Sequence, residues 1–303
     1  MSVTTRRRFL QSATASAIAA PLIGQIAFAG ESKLHVACNQ FCWMNMYRRH
    51  GKDFNADLDA GLAEVKRSGM DGLEAMLGNP AAAEQMIPLL KKHGLEMRSF
   101  YSGATLHDPA AVDASIAQVV ATAAKAKELI DVRICVVNPA PLPEEKTDEQ
   151  LEIQAKGMTK LGGALAEHGV TLAYHFHAPA WRSDGREFHH VMTQTDPELV
   201  KLCLDTHWVY RGSGNNVERV YEVVERYGSR VAELHLRQSK EGVWTETFTD
   251  GDIDHVKVAR GLEAQGVEPL LVLEQAVEKG TPDTMDALES HRRSRVYVEK
   301  VFG

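Results

Sequence analysis

Four side chains of the kind that bind transition metals recur at near-regular intervals in the second half of the chain. His175 and Asp205 are 30 residues apart, a further 30 residues lead to His235, and Glu274 follows 39 residues later. Each ends, or directly follows, a short apolar run. Two imidazoles and two carboxylates suit Mn²⁺, Zn²⁺, Co²⁺ or Fe²⁺ better than Ca²⁺, which prefers oxygen ligands alone. On neighbouring strands, the four would converge on one divalent ion, with Mn²⁺ favoured.

A metal ion held by such residues can support proton transfer on a substrate rich in oxygen, a reaction that the family resemblance described below implies. A divalent ion that chelates a carbonyl and the neighbouring hydroxyl acidifies the C–H bond they share and stabilises the enediolate that forms. Glu274 is the candidate base. His177 and His207 are candidate acid/base groups, although histidines in such positions also serve to orient metal ligands.

Polar and aromatic residues near the same strand ends are the candidates for substrate binding. Indole rings offer flat faces to the C–H groups of a sugar, and guanidinium and amide groups bind hydroxyls or carboxylates. A single tryptophan is nevertheless more often part of a protein core. The candidates are Glu74, Trp181, Arg182, Trp208, Arg211, Arg237 and Gln275, with Asn138 and Trp244 near them.

Eight apolar runs, each followed by a longer amphipathic pattern, must position these residues. Several runs are almost continuously apolar, which is typical of parallel strands buried on both faces. Five glycines, at 69, 94, 169, 228 and 266, are predicted to end the helix before the next strand. The predicted strands are Leu34–Cys38, Asp71–Met76, Leu95–Phe100, Val132–Val137, Val170–His175, Val200–Asp205, Val231–Leu236 and Leu270–Glu274.

Eight such units over about 270 residues predict a single (β/α)8 TIM barrel, in which active residues lie at the carboxyl ends of the strands. A doubly wound open sheet is the alternative fold. It would usually carry a glycine-rich phosphate-binding turn after its first strand, and the segment Cys38–Cys42 contains no glycine. We expect residues 30–303 to form the barrel domain.

The first 29 residues have the pattern of a twin-arginine signal peptide. The segment Thr5–Leu10 reads TRRRFL, and an uncharged stretch over residues 12–29 ends on Ala27–Ala29, a small-x-small cleavage pattern. A membrane anchor is the alternative, but Pro21 and Gly24 interrupt a stretch that is short for a spanning helix. We therefore expect the twin-arginine machinery to export the protein to the periplasm.

Charge and cysteine content narrow the class of partner. Without residues 1–29 the chain has 31 basic and 41 acidic side chains, a net charge of about −10. Such acidity argues against nucleic acid and against stable association with an anionic membrane surface.

Two cysteines lie within apolar runs and the other two lack the second half of a zinc motif, so all are predicted to be reduced and structural. They are Cys38, Cys42, Cys135 and Cys203.

The chain resembles the xylose isomerase-like barrel superfamily, which includes tagatose and psicose 3-epimerases, inosose dehydratase and hydroxypyruvate isomerase. Four segments carry the resemblance, and their order and spacing make it more specific than any one of them. They are Gly72–Glu74, Gly169–His177 with its Tyr-His-Phe-His end, Leu204–Trp208 followed by Arg211 and Gly212, and Glu233–Leu236 with the later Leu273–Gln275.

This resemblance implies a metal site and a reaction class. The epimerases of the superfamily hold their metal with Glu, Asp, His and Glu on strands five to eight, at the positions of His175, Asp205, His235 and Glu274 here. His175 therefore replaces a carboxylate that also serves as one of two catalytic bases. A metal-dependent isomerase or epimerase of a sugar or polyol is the leading interpretation. The alternatives are a lyase or dehydratase acting on 3-keto-sugars or 3-keto-glycosides, and a non-catalytic carbohydrate-binding barrel.

Overall fold

Eight parallel strands form a closed barrel, because the first strand pairs with the last as well as with the second. The computed structural model describes residues 34–303, and the predicted signal peptide lies outside them. The prediction of a single (β/α)8 barrel is confirmed. The barrel strands are β1 Val36–Asn39, β2 Gly72–Met76, β3 Ser99–Ala104, β4 Ile134–Pro139, β5 Thr171–Tyr174, β6 Val200–Asp205, β7 Val231–Leu236 and β10 Leu270–Leu273. A short antiparallel hairpin, β8 Ser239–Lys240 and β9 Val243–Trp244, follows β7.

The third strand begins four residues later than its apolar run predicts. Leu95 and Met97 are buried, but they precede the strand, and the residue between them forms only an isolated bridge to β2. Pairing with β4 runs instead from Ser99 to Ala104. The prediction was wrong because Ser102 and Gly103 make the true strand less apolar than the segment before it.

Helices connect the strands and cover the outside of the barrel. Side chains cap several of them: Asn79 accepts a backbone N–H of α3, and Thr147 and Gln150 form a reciprocal capping box at α5. In the described residues the helices are α1 Gln40–Arg49, α2 Leu58–Arg67, α3 Pro80–Lys92, α4 Val112–Leu129, α5 Asp148–Ala166, α6 Arg182–Gln194, α7 Thr206–Gly212, α8 Val217–Tyr227, α9 His255–Glu263 and α10 Ala287–Phe302.

Glycine ends four of the five helices for which it was predicted to do so. Gly69, Gly94, Gly169 and Gly266 have φ between 61° and 89°, a left-handed conformation that a Cβ atom would disfavour. Gly228 is the exception, because its φ of −55° continues into a 3₁₀ turn. Its missing Cβ instead leaves room for the side chain of Gln265.

Three apolar clusters of the described residues hold the barrel together, the smallest of them formed by Cys42, Trp244 and Ala276. The largest lies between the strands and the helices, and a smaller cluster lies around Ile134, Val136, Ala173, Cys203 and Leu270. The four cysteines are buried and form no disulfide bonds with one another. Within residues 34–303, no helix combines the length and the apolar character that a membrane span requires.

Candidate metal centre

Strand register places the four predicted ligands at one end of the barrel. Asp205 is the last residue of β6 and pairs in register with His235 of β7. Glu274 directly follows β10, and its backbone N–H continues the ladder to β7 at 3.0 Å. His175 directly follows β5 and continues the ladder to β4 at 2.9 Å. Because all the strands are parallel, the four side chains start from the same, carboxyl end of the sheet.

The four side chains meet in a buried cluster. One ligand atom from each of His175, Asp205, His235 and Glu274 lies within 4.8 Å of the others. His235 Nδ1 is 2.8 Å from Glu274 Oε2, and His175 Nε2 is 3.8 Å from the same oxygen. Glu274 is 5% exposed and the other three are fully buried. The cluster therefore sits at the floor of the barrel mouth.

Burial decides the charge of two of these residues. It lowers the pKa of the His175 imidazole to about 3, so this ring is neutral and has a free lone pair at physiological pH. Burial also raises the pKa of Asp205 to about 7, although the Arg237 guanidinium opposes that rise. Asp205 therefore loses its proton near neutral pH.

The other two ligands are held charged by their neighbours. Burial disfavours the charged form of His235, but the surrounding Cys203, Glu74 and Glu274 raise its pKa well above the usual range. Burial likewise opposes ionisation of Glu274, but Arg237 and His235 keep the pKa of that carboxyl well below its usual range. Without a metal, the site thus holds an imidazolium and a carboxylate in contact.

Buried polar atoms without partners test whether these residues suit a metal. Among the described residues, neither ring nitrogen of His175 has a hydrogen-bond partner, and Asp205 Oδ2 has none either. Buried polar atoms are normally paired, so unpaired ones at a shared point indicate a missing ligand. Two imidazoles and two carboxylates around that point fit one divalent transition-metal ion.

Arg237 lies beside the cluster and is 1% exposed. Its Nη2 donates to Glu274 Oε1 at 2.9 Å, and its Nε is 3.6 Å from Asp205 Oδ2. The guanidinium carbon lies 4.3 Å from the ring centre of Trp244 and 5.2 Å from that of Trp208. The described structure gives its Nη1 no partner. Arg237 can therefore neutralise the two carboxylates and still present a donor to a substrate oxygen.

Two further histidines are fixed by neighbouring side chains. Asn138 Nδ2 donates to His177 Nδ1 at 3.2 Å, and Trp244 Nε1 donates to His207 Nδ1 at 3.3 Å. In both rings the proton therefore lies on Nε2. Burial lowers both pKa values, that of His207 to about 2 with Arg237 and Arg211 adding to the effect. Both histidines are consequently neutral N–H donors.

The predicted substrate-binding residues fall into two groups. Trp208 and Arg237 line the mouth, and the Trp208 ring centre is 5.1 Å from that of His177. Glu74 lies deeper, fully buried, with Oε2 3.3 Å from His235 Nε2 and in close contact with the Asn39 amide. These three adjoin the cluster, and their roles stay predictions.

The remaining candidates are engaged elsewhere. Trp181 is 3% exposed and stacks on Phe188 in the core, and Arg182 donates to the carbonyl of Leu142.

Arg211 and Gln275 support the loop that carries Trp244. Arg211 binds Glu278 through two hydrogen bonds of 2.9 and 2.7 Å. Gln275 accepts the backbone N–H of Gln238 and donates to the carbonyl of Thr245. Through these contacts, Arg211 and Gln275 stabilise the loops at the mouth of the barrel.

Sequence reasoning missed Glu233, whose Oε1 is 3.0 Å from His235 Nε2. It is fully buried and lies inside the barrel, two residues before His235 on the same strand. Alternate residues of a strand share a face, so an acidic residue at this position in a buried strand was the available signal.

A barrel with a mixed imidazole and carboxylate cluster at the carboxyl ends of its strands defines the class of protein. The model of the xylose isomerase-like TIM barrel family matches residues 62–293. The chain belongs to this family.

Proteins of similar sequence include inosose dehydratases. An inosose dehydratase from Clostridium perfringens is 29% identical over 172 residues, a match that covers 50% of this chain and 55% of that protein. The chain thus spans about half the length of this relative.

Solved structures share the fold along most of the chain. A D-allulose 3-epimerase from Methylomonas has a TM-score of 0.65 at 14% identity, covering 88% of this chain and 97% of that one. A 3-keto-D-glucoside 4-epimerase from E. coli has a TM-score of 0.62 at 14% identity, covering 88% and 100%.

Proposed function

We infer that the protein is a metal-dependent sugar isomerase or epimerase that removes a proton from the carbon beside a substrate carbonyl. The observation that carries this is Glu274, a carboxylate at the barrel mouth in contact with His235 and 3.8 Å from His175. The names of the inosose dehydratase relative and of the two epimerases of similar fold support a carbohydrate or polyol substrate.

His175, Asp205, His235 and Glu274 would hold one divalent ion, for which Mn²⁺ is our first choice. The ion would polarise a carbonyl and make the adjacent C–H bond acidic. Glu274 takes that proton, because Arg237 and His235 keep its side chain in the carboxylate form that can accept one. The free Nη1 of Arg237 binds a substrate oxygen, and the Trp208 indole offers a flat face to the sugar ring.

A dehydratase or lyase is the second candidate function. His175 stands where a two-base epimerase of this superfamily would have a second carboxylate, so one base is available beside the ion. His177 retains an N–H on Nε2 that can donate a hydrogen bond to a leaving hydroxyl or glycosidic oxygen, while the proton that Glu274 has taken departs with that oxygen. The inosose dehydratase relative supports the same reaction class.

Proton NMR in deuterated water distinguishes these reactions. The protein, stripped with a chelator and then refilled with Mn²⁺, is incubated with a panel of keto-sugars and 3-keto-glycosides, and products are read after the metal is removed. Isomerisation or epimerisation incorporates deuterium into a product of unchanged composition. Elimination releases a leaving group. A protein that only binds carbohydrate leaves every C–H signal intact, and equal activity of the stripped protein would contradict metal dependence.

Export by the twin-arginine route is a separate proposal, supported by the segment Thr5–Leu10. Replacing Arg6 and Arg7 together by Lys should leave the precursor uncleaved in the cytoplasm. Cell fractionation followed by mass spectrometry of the amino terminus measures this. We expect the wild-type chain to begin near Gly30 in the periplasm, and continued export of the double variant would contradict the route.

A further inference from the structure

His235 has carboxylates on both edges of its ring. Nδ1 faces Glu274 Oε2 at 2.8 Å, on the side of the metal cluster. Nε2 faces the barrel interior, where Glu233 Oε1 is 3.0 Å away and Glu74 Oε2 is 3.3 Å away. The interior carboxylates are fully buried. The ring is therefore clamped between the metal cluster and a second acidic pair.

A buried carboxylate is costly unless it is hydrogen-bonded. Glu233 Oε1 also receives the weak S–H donor of Cys203, with a sulfur–oxygen distance of 3.8 Å. Its Oε2 has no partner among residues 34–303. The imidazole of His235 is thus the main stabilising partner of Glu233.

The contact with Glu233 determines which nitrogen of His235 is free to bind a metal. A proton held on Nε2 by a carboxylate leaves the lone pair on Nδ1, and a carboxylate at the far edge makes the ring a stronger ligand. We propose that Glu233 is a positioning residue that fixes this tautomer and turns Nδ1 of His235 toward the metal. The inference rests on the metal site of the proposed function.

Glu74 has a different place in this arrangement. The Asn39 amide, at the paired position of β1, holds its Oε2. Glu74 therefore has a strong partner besides His235, whereas Glu233 depends on the imidazole. Glu233 is also the nearer of the two to His235 Nε2, at 3.0 Å against 3.3 Å.

A second ion between Cys203, Glu233 and His235 is the competing explanation, because their ligand atoms also lie within 4.8 Å of one another. The two sites would both need His235, and a neutral imidazole binds only one ion. A single ion per chain follows from the proposal.

Metal titration of the stripped protein tests the inference directly. Free Mn²⁺ is measured by electron paramagnetic resonance for the wild type, Glu233→Gln and Glu233→Leu. Loss of a partner behind a metal-binding histidine typically weakens the metal 10–100-fold. We expect Glu233→Gln to be the milder variant, since the amide oxygen still accepts the Nε2 proton, and Glu233→Leu to be the stronger. Turnover at saturating Mn²⁺ should change less than the affinity.

If Glu233 had a purely structural role, its replacement would lower the unfolding free energy of the metal-free protein and leave the metal affinity unchanged. Because Glu74 and Glu274 still contact the imidazole, stripped Glu233→Leu should lose little unfolding free energy, while its metal affinity falls. The matched control is Glu246→Gln, because Glu246 is also buried but accepts backbone N–H groups of Thr284 and Met285. That variant should be less stable and bind Mn²⁺ normally.

Nitrogen-15 shifts of the histidine rings in the Zn²⁺-loaded protein report the tautomer. We expect His235 to carry its proton on Nε2. Unchanged affinity in both Glu233 variants, a proton on Nδ1, or two ions per chain would each overturn the inference. If the wild type itself binds no divalent metal, the metal site of the proposed function fails instead, so the two failures are distinguishable.

Discussion

Glu274→Gln should lower turnover by ~10²–10⁴-fold even when the protein is saturated with Mn²⁺. The amide keeps the shape of the side chain and one oxygen for the metal, but it cannot accept a proton. It also loses the charge that pairs with His235 Nδ1 at 2.8 Å and with Arg237 Nη2 at 2.9 Å. Turnover of the best substrate from the keto-sugar panel is the measurement, with bound Mn²⁺ quantified in the same sample.

Two effects must be separated in that experiment. Loss of one charged ligand weakens the metal, and a titration of activity with Mn²⁺ removes this effect at saturation. The buried Glu246→Gln variant is the control for replacing a carboxylate outside the site, and it should retain wild-type turnover. Near wild-type turnover of metal-loaded Glu274→Gln would make Glu274 a ligand only. The base would then be sought among His177, His207 and Glu74.

The fold could be predicted from the sequence because its signals are local. Runs such as Leu270–Leu273, buried on both faces, permit little besides a parallel strand, and positive-φ glycines end four of the helices. The third strand shows the limit of this reasoning. Its boundary depends on pairing with β4. Ser102 and Gly103 are not apolar, and they belong to the strand because they pair with β4.

The four ligands could be placed together from sequence because parallel strands align their carboxyl ends. Side-chain partners could not be predicted in the same way. Arg211 and Gln275 have the chemistry of substrate-binding residues, but Glu278 and the loop after β7 engage them. Such contacts depend on loop conformation, which residue type alone does not determine. Glu233 is the opposite case, since its position inside the barrel follows from the strand pattern but its contact with the far edge of His235 does not.

Arg237→Met should reduce the unfolding free energy of the metal-free protein by about 3–5 kcal/mol, the usual cost of removing one partner of a buried ion pair. Its guanidinium contacts Glu274 at 2.9 Å and lies 3.6 Å from Asp205. Methionine fills much of the same volume but leaves these carboxylates without a cationic partner. It also removes the stacking on Trp244, whose ring centre is 4.3 Å from the guanidinium carbon. Urea unfolding of the stripped protein measures the loss.

Mn²⁺ should restore much of the stability that Arg237→Met loses, because the ion supplies positive charge to the same carboxylates. In the wild type the guanidinium repels the ion, so the variant should gain more stability on metal addition than the wild type does. A ligand at 100 times its Kd stabilises a protein by about 2.7 kcal/mol, which is within the resolution of the unfolding experiment. The matched control is Arg211→Met, since Arg211 also lies over Trp244, at 4.9 Å, but its carboxylate partner is Glu278. Arg211→Met should lose less stability and gain the same amount from Mn²⁺ as the wild type. If Arg237→Met is destabilised and gains no more from Mn²⁺ than this control, the guanidinium and the metal do not share Asp205 and Glu274.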